Sequence, residues 1–234
     1  MGFGALIIGV VFMIIGFIVS SRLKSKFRMY SQMHLTKDLT GGEIARLMLA
    51  DHGLHDVKVI SVEGELTDHY NPANKTVNLS KEVYYGRNAA AAAVAAHECG
   101  HAVQHATAYS MLKLRSAMVP VQNVSAKVIN IIFMMMMFGA FFAQGLFSFE
   151  TALLVIIACY GVFTAFAFVT LPVEFDASKR ALAWIDSRGI VTSREHEMAK
   201  DSLKWAAMTY VVAALGALTT LLYYVMMFLG SRDE

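Results

Sequence analysis

Four apolar runs constrain this chain more than any other feature. Residues 3–20, 121–144, 151–171 and 205–229 are each about twenty residues long or longer and carry almost no charge. That is the length a helix rising about 1.5 Å per residue needs to cross the hydrocarbon core of a bilayer. The 234 residues are 56% hydrophobic and 16% charged, with a mean hydropathy of +0.51, which is too apolar for an ordinary soluble domain. A soluble bundle would have to bury all four runs as core helices, and their length argues against it. The expected class is a mainly α membrane protein with four transmembrane helices.

Charge sets the expected topology. Arg22, Lys24, Lys26 and Arg28 follow the first run, and nearly all other Lys and Arg fall within 22–127 and 179–204. Basic residues beside spans stay in the cytoplasm, so both termini and the 145–149 loop are expected outside. The first run has no basic residues before it and no small-residue cleavage site, which reads as an uncleaved anchor. A net charge of +2 gives no reason to expect nucleic acid. Cys99 and Cys159 lie in unlike settings and suggest no disulfide.

Between the first two runs lies a polar segment with its own punctuation. Thr40 and Glu43 form a capping box that opens a helix expected to stop at Gly53. Residues 57–62, 66–70 and 76–79 read as strands, with a turn at 71–75. These are expected to form a small antiparallel sheet. Asn88 is a good N-cap for an alanine-rich helix over 89–106. Pro120 is expected to break the chain, and Pro172 to open a new helix stopped by Gly189. Thr192 and Glu195 form a second capping box, leading into the fourth run.

The alanine-rich helix carries His97-Glu98-Cys99-Gly100-His101, an HExxH sequence. Residues four apart share a helix face, so both imidazoles can address one point. Two imidazoles at that spacing can hold Zn2+, and Glu98 beside them can take a proton from water at the metal. Two ordinary histidines on a solvated helix is the plainer reading, but a run of alanines before the motif marks a helix built to be packed. Cys99 is off the histidine face and reads as a small buried thiol.

A catalytic zinc site usually has three protein ligands and one open position. Glu174, in LPVEFDAS, is the expected third ligand because it follows a cytoplasmic span end on the same side as the motif. Its alternative role is a favourable helix-end charge. Asp176, His196 and His105 are the other candidates. His105 lies on the motif's face, but eight residues beyond His97 it stands too far along the axis.

The HECGH motif, the LTDHYNPANKTVNLS stretch, LPVEFDAS and AAMTYV together resemble the YugP-type bacterial membrane zinc metallopeptidases, over roughly residues 41–214. That family is in turn similar to the HtpX and CaaX-protease group of membrane-bound gluzincins. The resemblance implies His97, His101 and Glu174 as zinc ligands and Glu98 as general base. In the HtpX-like group an aspartate follows the ligand glutamate by four residues. Here that place holds Ser178, and Asp176 is the nearby acid available for the role.

The division expected is a transmembrane anchor (1–21), a cytoplasmic α+β zincin-like domain with the HExxH helix (22–116), two transmembrane helices (117–171), cytoplasmic helices with the third ligand (172–204), and a fourth span with a short tail (205–234). The expected function is a zinc metalloendopeptidase of the bacterial cytoplasmic membrane, with its catalytic domain facing the cytoplasm and a peptide or protein substrate, soluble or membrane-borne. His69 and Tyr70 are the expected substrate-binding or oxyanion donors, with Tyr210 behind them, although strand-end and turn chemistry explains the first two equally well. The strand near Thr67 could pair with an extended peptide. A non-catalytic zinc-binding scaffold or chaperone-like inactive protease is the alternative. An intramembrane protease is disfavoured because the uncharged stretch before the motif is too short to span, and a transporter because the spans carry few charges.

Overall fold

The apolar runs fold as four long helices. The structure, a computed structural model, describes residues 3–138 and 149–230. The end of the second apolar run, most of the 145–149 loop and the tail beyond 230 lie outside these residues. In chain order the elements are α1 (Phe3–Ser31), α2 (Gly41–Asp51), β1 (Lys58–Val62), β2 (His69–Asn71), β3 (Thr76–Ser80), α3 (Lys81–Tyr84), α4 (Ala89–Ala106), α5 (Ser110–Phe138), α6 (Phe149–Ser187) and α7 (Ser193–Gly230).

The chain divides into two compact units. One comprises residues 1–17, 114–170 and 210–234, and holds the apolar stretches of α1, α5, α6 and α7. Leu153, Ile156 and Tyr224 form its small buried cluster. Many large apolar side chains in it are exposed, including Met13, Phe17, Val124, Ile131 and Met226. Soluble monomers do not expose apolar surface on this scale, whereas lipid solvates it at no cost. The four helices are long and apolar enough to cross a membrane.

The second unit comprises residues 18–113 and 171–209. Its core joins α2, α4, the sheet and the polar ends of α6 and α7 through Leu35, Ile44, Met48, Val77, Leu79, Ile185 and Leu203. Helix α4 runs over the residues its sequence implies. The Asn88 side chain accepts from the Ala91 N–H at 2.9 Å. Ala89 through Ala93, Ala95 and Ala96 are all fully buried, so methyl groups are the largest side chains this helix can present there. The Thr40–Glu43 capping box opens α2, and His52 and Gly53 end it, Gly53 with φ +69°.

The sheet is mixed, not antiparallel as expected. Its order is β1-β3-β2, with β1 parallel to β3 and β2 antiparallel to it. All five residues of β3 are buried, so β3 takes the centre and β1, half exposed, an edge. Only β2 and β3 pair as sequence neighbours. Strand β2 is also shorter than the expected 66–70. Gly64 and Leu66 both take positive φ, and the Thr67 hydroxyl donates to the Glu63 and Gly64 carbonyls, which makes this segment a turn.

Neither proline breaks a helix. Pro120 lies inside α5 and Pro172 inside α6. A proline removes one hydrogen bond, a local cost that the many remaining bonds of these long helices offset, so each helix continues through it. Glu174 therefore sits deep inside a 39-residue helix, which removes the helix-end role as an explanation for it.

Candidate metal centre

Two helices of the second unit build the site. His97, His101 and Gln104 follow one another at four and three residues along α4, so they lie on one face. Helix α6 turns Val173, Glu174, Ala177 and Ala181 inward, each nearly or fully buried. The approach is close because Gly100 has no side chain. A Cβ there would stand 2.7 Å from the Ala177 carbonyl oxygen. One turn before Ala177, Glu174 is thereby brought against both imidazoles.

His97 Nε2 lies 3.4 Å and His101 Nε2 3.6 Å from Glu174 Oε2. The rings are edge to face, with centroids 4.8 Å apart. The ligating atoms of these three residues all fall within 4.8 Å of one another. Zinc–nitrogen and zinc–oxygen bonds of about 2.0–2.2 Å in a tetrahedron put ligand atoms about 3.3–3.6 Å apart. The donor types and the two histidine–glutamate distances therefore suit zinc. Burial acts to lower the His101 pKa, but its hydrogen bond to Glu174 and the charges of Glu98 and Glu174 raise it above its ordinary value.

The other ring nitrogens are held as well. His97 Nδ1 lies 3.1 Å from Ser178 Oγ, and His101 Nδ1 donates to Gln104 Oε1 at 3.0 Å. These contacts leave each Nε2 for the shared point. Ser178 occupies the position where the HtpX-like group has aspartate, and it meets a candidate ligand histidine there. Asp176 does not face the three-residue cluster. Its Oδ2 accepts from Gln104 Nε2 at 2.8 Å and from Arg180 Nε at 2.6 Å.

Glu98 is buried and accepts the Tyr70 N–H through Oε2 at 3.0 Å. Strand β2 thus passes directly beside the carboxylate. Asp68 pins the start of that strand by accepting from the Ser80 N–H at 2.7 Å and from its hydroxyl. Burial, with the charge of Glu98, raises the Asp68 carboxyl above its usual range against the pull of the Ser80 hydrogen bonds. The Tyr70 hydroxyl contacts His105 Nδ1 at 2.9 Å, and burial raises its pKa, so it remains a donor. His69 is exposed, with Nδ1 on the Thr67 carbonyl. Tyr210 belongs to the other unit. Among the described residues, Asp176, His105 and His196 take no part in the metal-ligand cluster. Cys99 is fully buried with Sγ toward the Ala45 carbonyl. Burial, and then the Glu98 charge, push its thiol well above the ordinary range, and it is not part of the metal-ligand cluster.

Comparison with known proteins gives the same direction. The family model described as "Putative neutral zinc metallopeptidase" matches residues 5–229. The chain belongs to that family. It is 43% identical over 214 residues to "Putative membrane protease YugP" of Bacillus subtilis (strain 168), covering 91% of each chain. No solved structure matches.

Sequence reasoning left two residues of this family member's site unassigned. Gly100 was signalled by its place inside the motif on a helix that must be packed. Gln104 was signalled by a polar residue seven positions after His97 on the same face. Gly100→Ala should cost about 1–3 kcal/mol of stability through overpacking and lower zinc content. Gly161→Ala is the control, since a Cβ there meets nothing within 4 Å. Thermal unfolding and metal analysis of the two purified variants check this.

Proposed function

We propose that the protein is a membrane-anchored zinc metalloendopeptidase of the gluzincin type, with His97, His101 and Glu174 as metal ligands and Glu98 as general base. The observation that carries this reading is the convergence of both Nε2 atoms and one Glu174 carboxylate oxygen at zinc-ligand spacing, on two different helices. The family description and the relative's printed name, a membrane protease, support it.

When bound, zinc acidifies a water molecule and polarises the scissile carbonyl. Glu98 takes the proton of the attacking water and passes it to the leaving nitrogen. Its buried carboxylate is oriented for this by the Tyr70 N–H. Ser178 and Gln104 hold the two imidazoles in register. Tyr70 and His69, on the strand beside Glu98, supply hydrogen-bond donors for the oxyanion. The substrate is a peptide or protein, and the polar unit faces the cytoplasm of the bacterial cell, as the basic residues beside the spans require.

Glu98→Gln should retain about one zinc per chain and lose about 10²–10⁴-fold in peptide hydrolysis, the usual contribution of a general base. His97→Ala, His101→Ala and Glu174→Gln should lose zinc as well, whereas Asp176→Asn should keep most of it. Metal analysis and turnover of purified proteins read both effects. A non-catalytic scaffold would bind zinc and show no difference in hydrolysis between wild type and Glu98→Gln.

Cysteines introduced at Lys75 and Arg188 should be labelled only from the cytoplasmic side, and one at Phe149 only from outside. Outside labelling at Lys75 would place the site, and its substrates, on the opposite face.

A further inference from the structure

Gln104 is the one uncharged polar side chain of α4 that is completely buried beside the metal-ligand cluster. Burying a carboxamide costs free energy unless its groups are bonded, and here both ends are. Oε1 accepts from His101 Nδ1 at 3.0 Å. Nε2 donates at 2.8 Å to the Val173 carbonyl and at 2.8 Å to Asp176 Oδ2. Two oxygen acceptors on the nitrogen side fix which way the amide points, because a flipped amide would set oxygen against oxygen. With Oε1 facing the ring, His101 Nδ1 must carry the proton. That leaves Nε2, the atom facing Glu174, as the nitrogen a metal ion would take once its own proton has left.

The same side chain ties the ligand helices together. Its acceptors, Val173 and Asp176, flank Glu174 on α6. Asp176 is itself held by Arg180, whose guanidinium lies over the Tyr109 ring at 5.9 Å. The chain of contacts runs from Tyr109 through Arg180, Asp176 and Gln104 to His101.

We propose that Gln104, oriented by Asp176, is a positioning residue of the metal centre: its carboxamide fixes His101 as the Nδ1–H tautomer and so presents Nε2 to the ion. Asp176 thereby acts on a ligand histidine through Gln104, while Ser178 meets the other histidine directly. This proposal rests on the metal-centre reading, and its test separates the two. Outer partners of ligand histidines typically contribute about 10–100-fold in metal affinity.

The experiment uses the full-length protein in detergent. Zinc affinity is measured by competition with a chelator. The tautomer of His101 is read in apo protein by NMR of 15N-labelled histidine, at a pH high enough to leave the ring neutral, the signal being assigned by its loss in His101→Ala. Gln104→Leu should weaken zinc about 10–100-fold and move His101 towards the Nε2–H form that an unconstrained imidazole prefers. Gln104→Glu keeps the acceptor but sets two carboxylates together, so it should also weaken zinc. Adding Asp176→Asn to Gln104→Glu returns an N–H donor at position 176 and should recover most of the loss.

Wild-type zinc affinity in Gln104→Leu, or an unchanged His101 tautomer, would overturn the proposal. So would a double variant no better than Gln104→Glu, and that pair decides the matter if Gln104→Leu does not fold. A packing role alone would lower stability without moving the tautomer. If His97→Ala and Glu174→Gln keep their zinc, the metal-centre reading itself fails. If they lose it while Gln104→Leu does not, only the positioning role fails.

Discussion

The backbone-to-backbone approach of α4 and α6 at Gly100 and Ala177 is the contact on which the candidate site depends. Histidines at i and i+4 can aim at one point from a single helix, but a third ligand must come from another element. A glutamate side chain is short, so its helix has to lie within a few ångströms of the imidazoles. Gly100, with no room for a Cβ against the Ala177 carbonyl, permits that separation. Buried Ala177 and Ala181 do the same from the α6 side. The alanine run of α4 extends the logic: the fully buried positions before the motif, Ala89 to Ala93, Ala95 and Ala96, present only methyl groups, so neighbouring elements can pack close to this half of the helix.

Strand β2 is the second constraint. It is short and lies at the sheet's edge, yet its Tyr70 N–H reaches the Glu98 carboxylate. Asp68 holds the strand's start through Ser80, so the sheet, α3 and the motif helix are tied at this point. A buried carboxylate held by a backbone donor is oriented, which suits a group proposed to accept and return a proton. The helices of the apolar unit instead expose large apolar side chains such as Phe17 and Met13.

Much of this was legible in the sequence because it depends on local rules. Periodicity and length gave the four apolar helices; Asn88, Thr40 and Thr192 gave helix starts; the HExxH spacing gave a shared imidazole face. Glu174 could be named from its chemistry and its place after a span. What escaped were properties set by tertiary pairing. Strand order depends on which strand can be buried on both sides, and β3, with Thr76, Asn78 and Ser80 all buried, disguises itself as an edge. Pro120 and Pro172 looked like breaks because a proline costs a hydrogen bond locally, whereas the helices on either side of each are long enough to continue through it. Gln104 was not singled out, since its three partners are His101 and residues about seventy positions away.

The central claim is one zinc ion held by two imidazoles and a carboxylate. Zinc K-edge X-ray absorption on the purified wild-type protein tests it most directly. The account predicts about four nitrogen or oxygen neighbours at about 2.0–2.1 Å, outer-shell scattering from two imidazoles, and no sulfur. A sulfur neighbour at about 2.3 Å, which would implicate a cysteine, or scattering from three or more imidazoles, would contradict it.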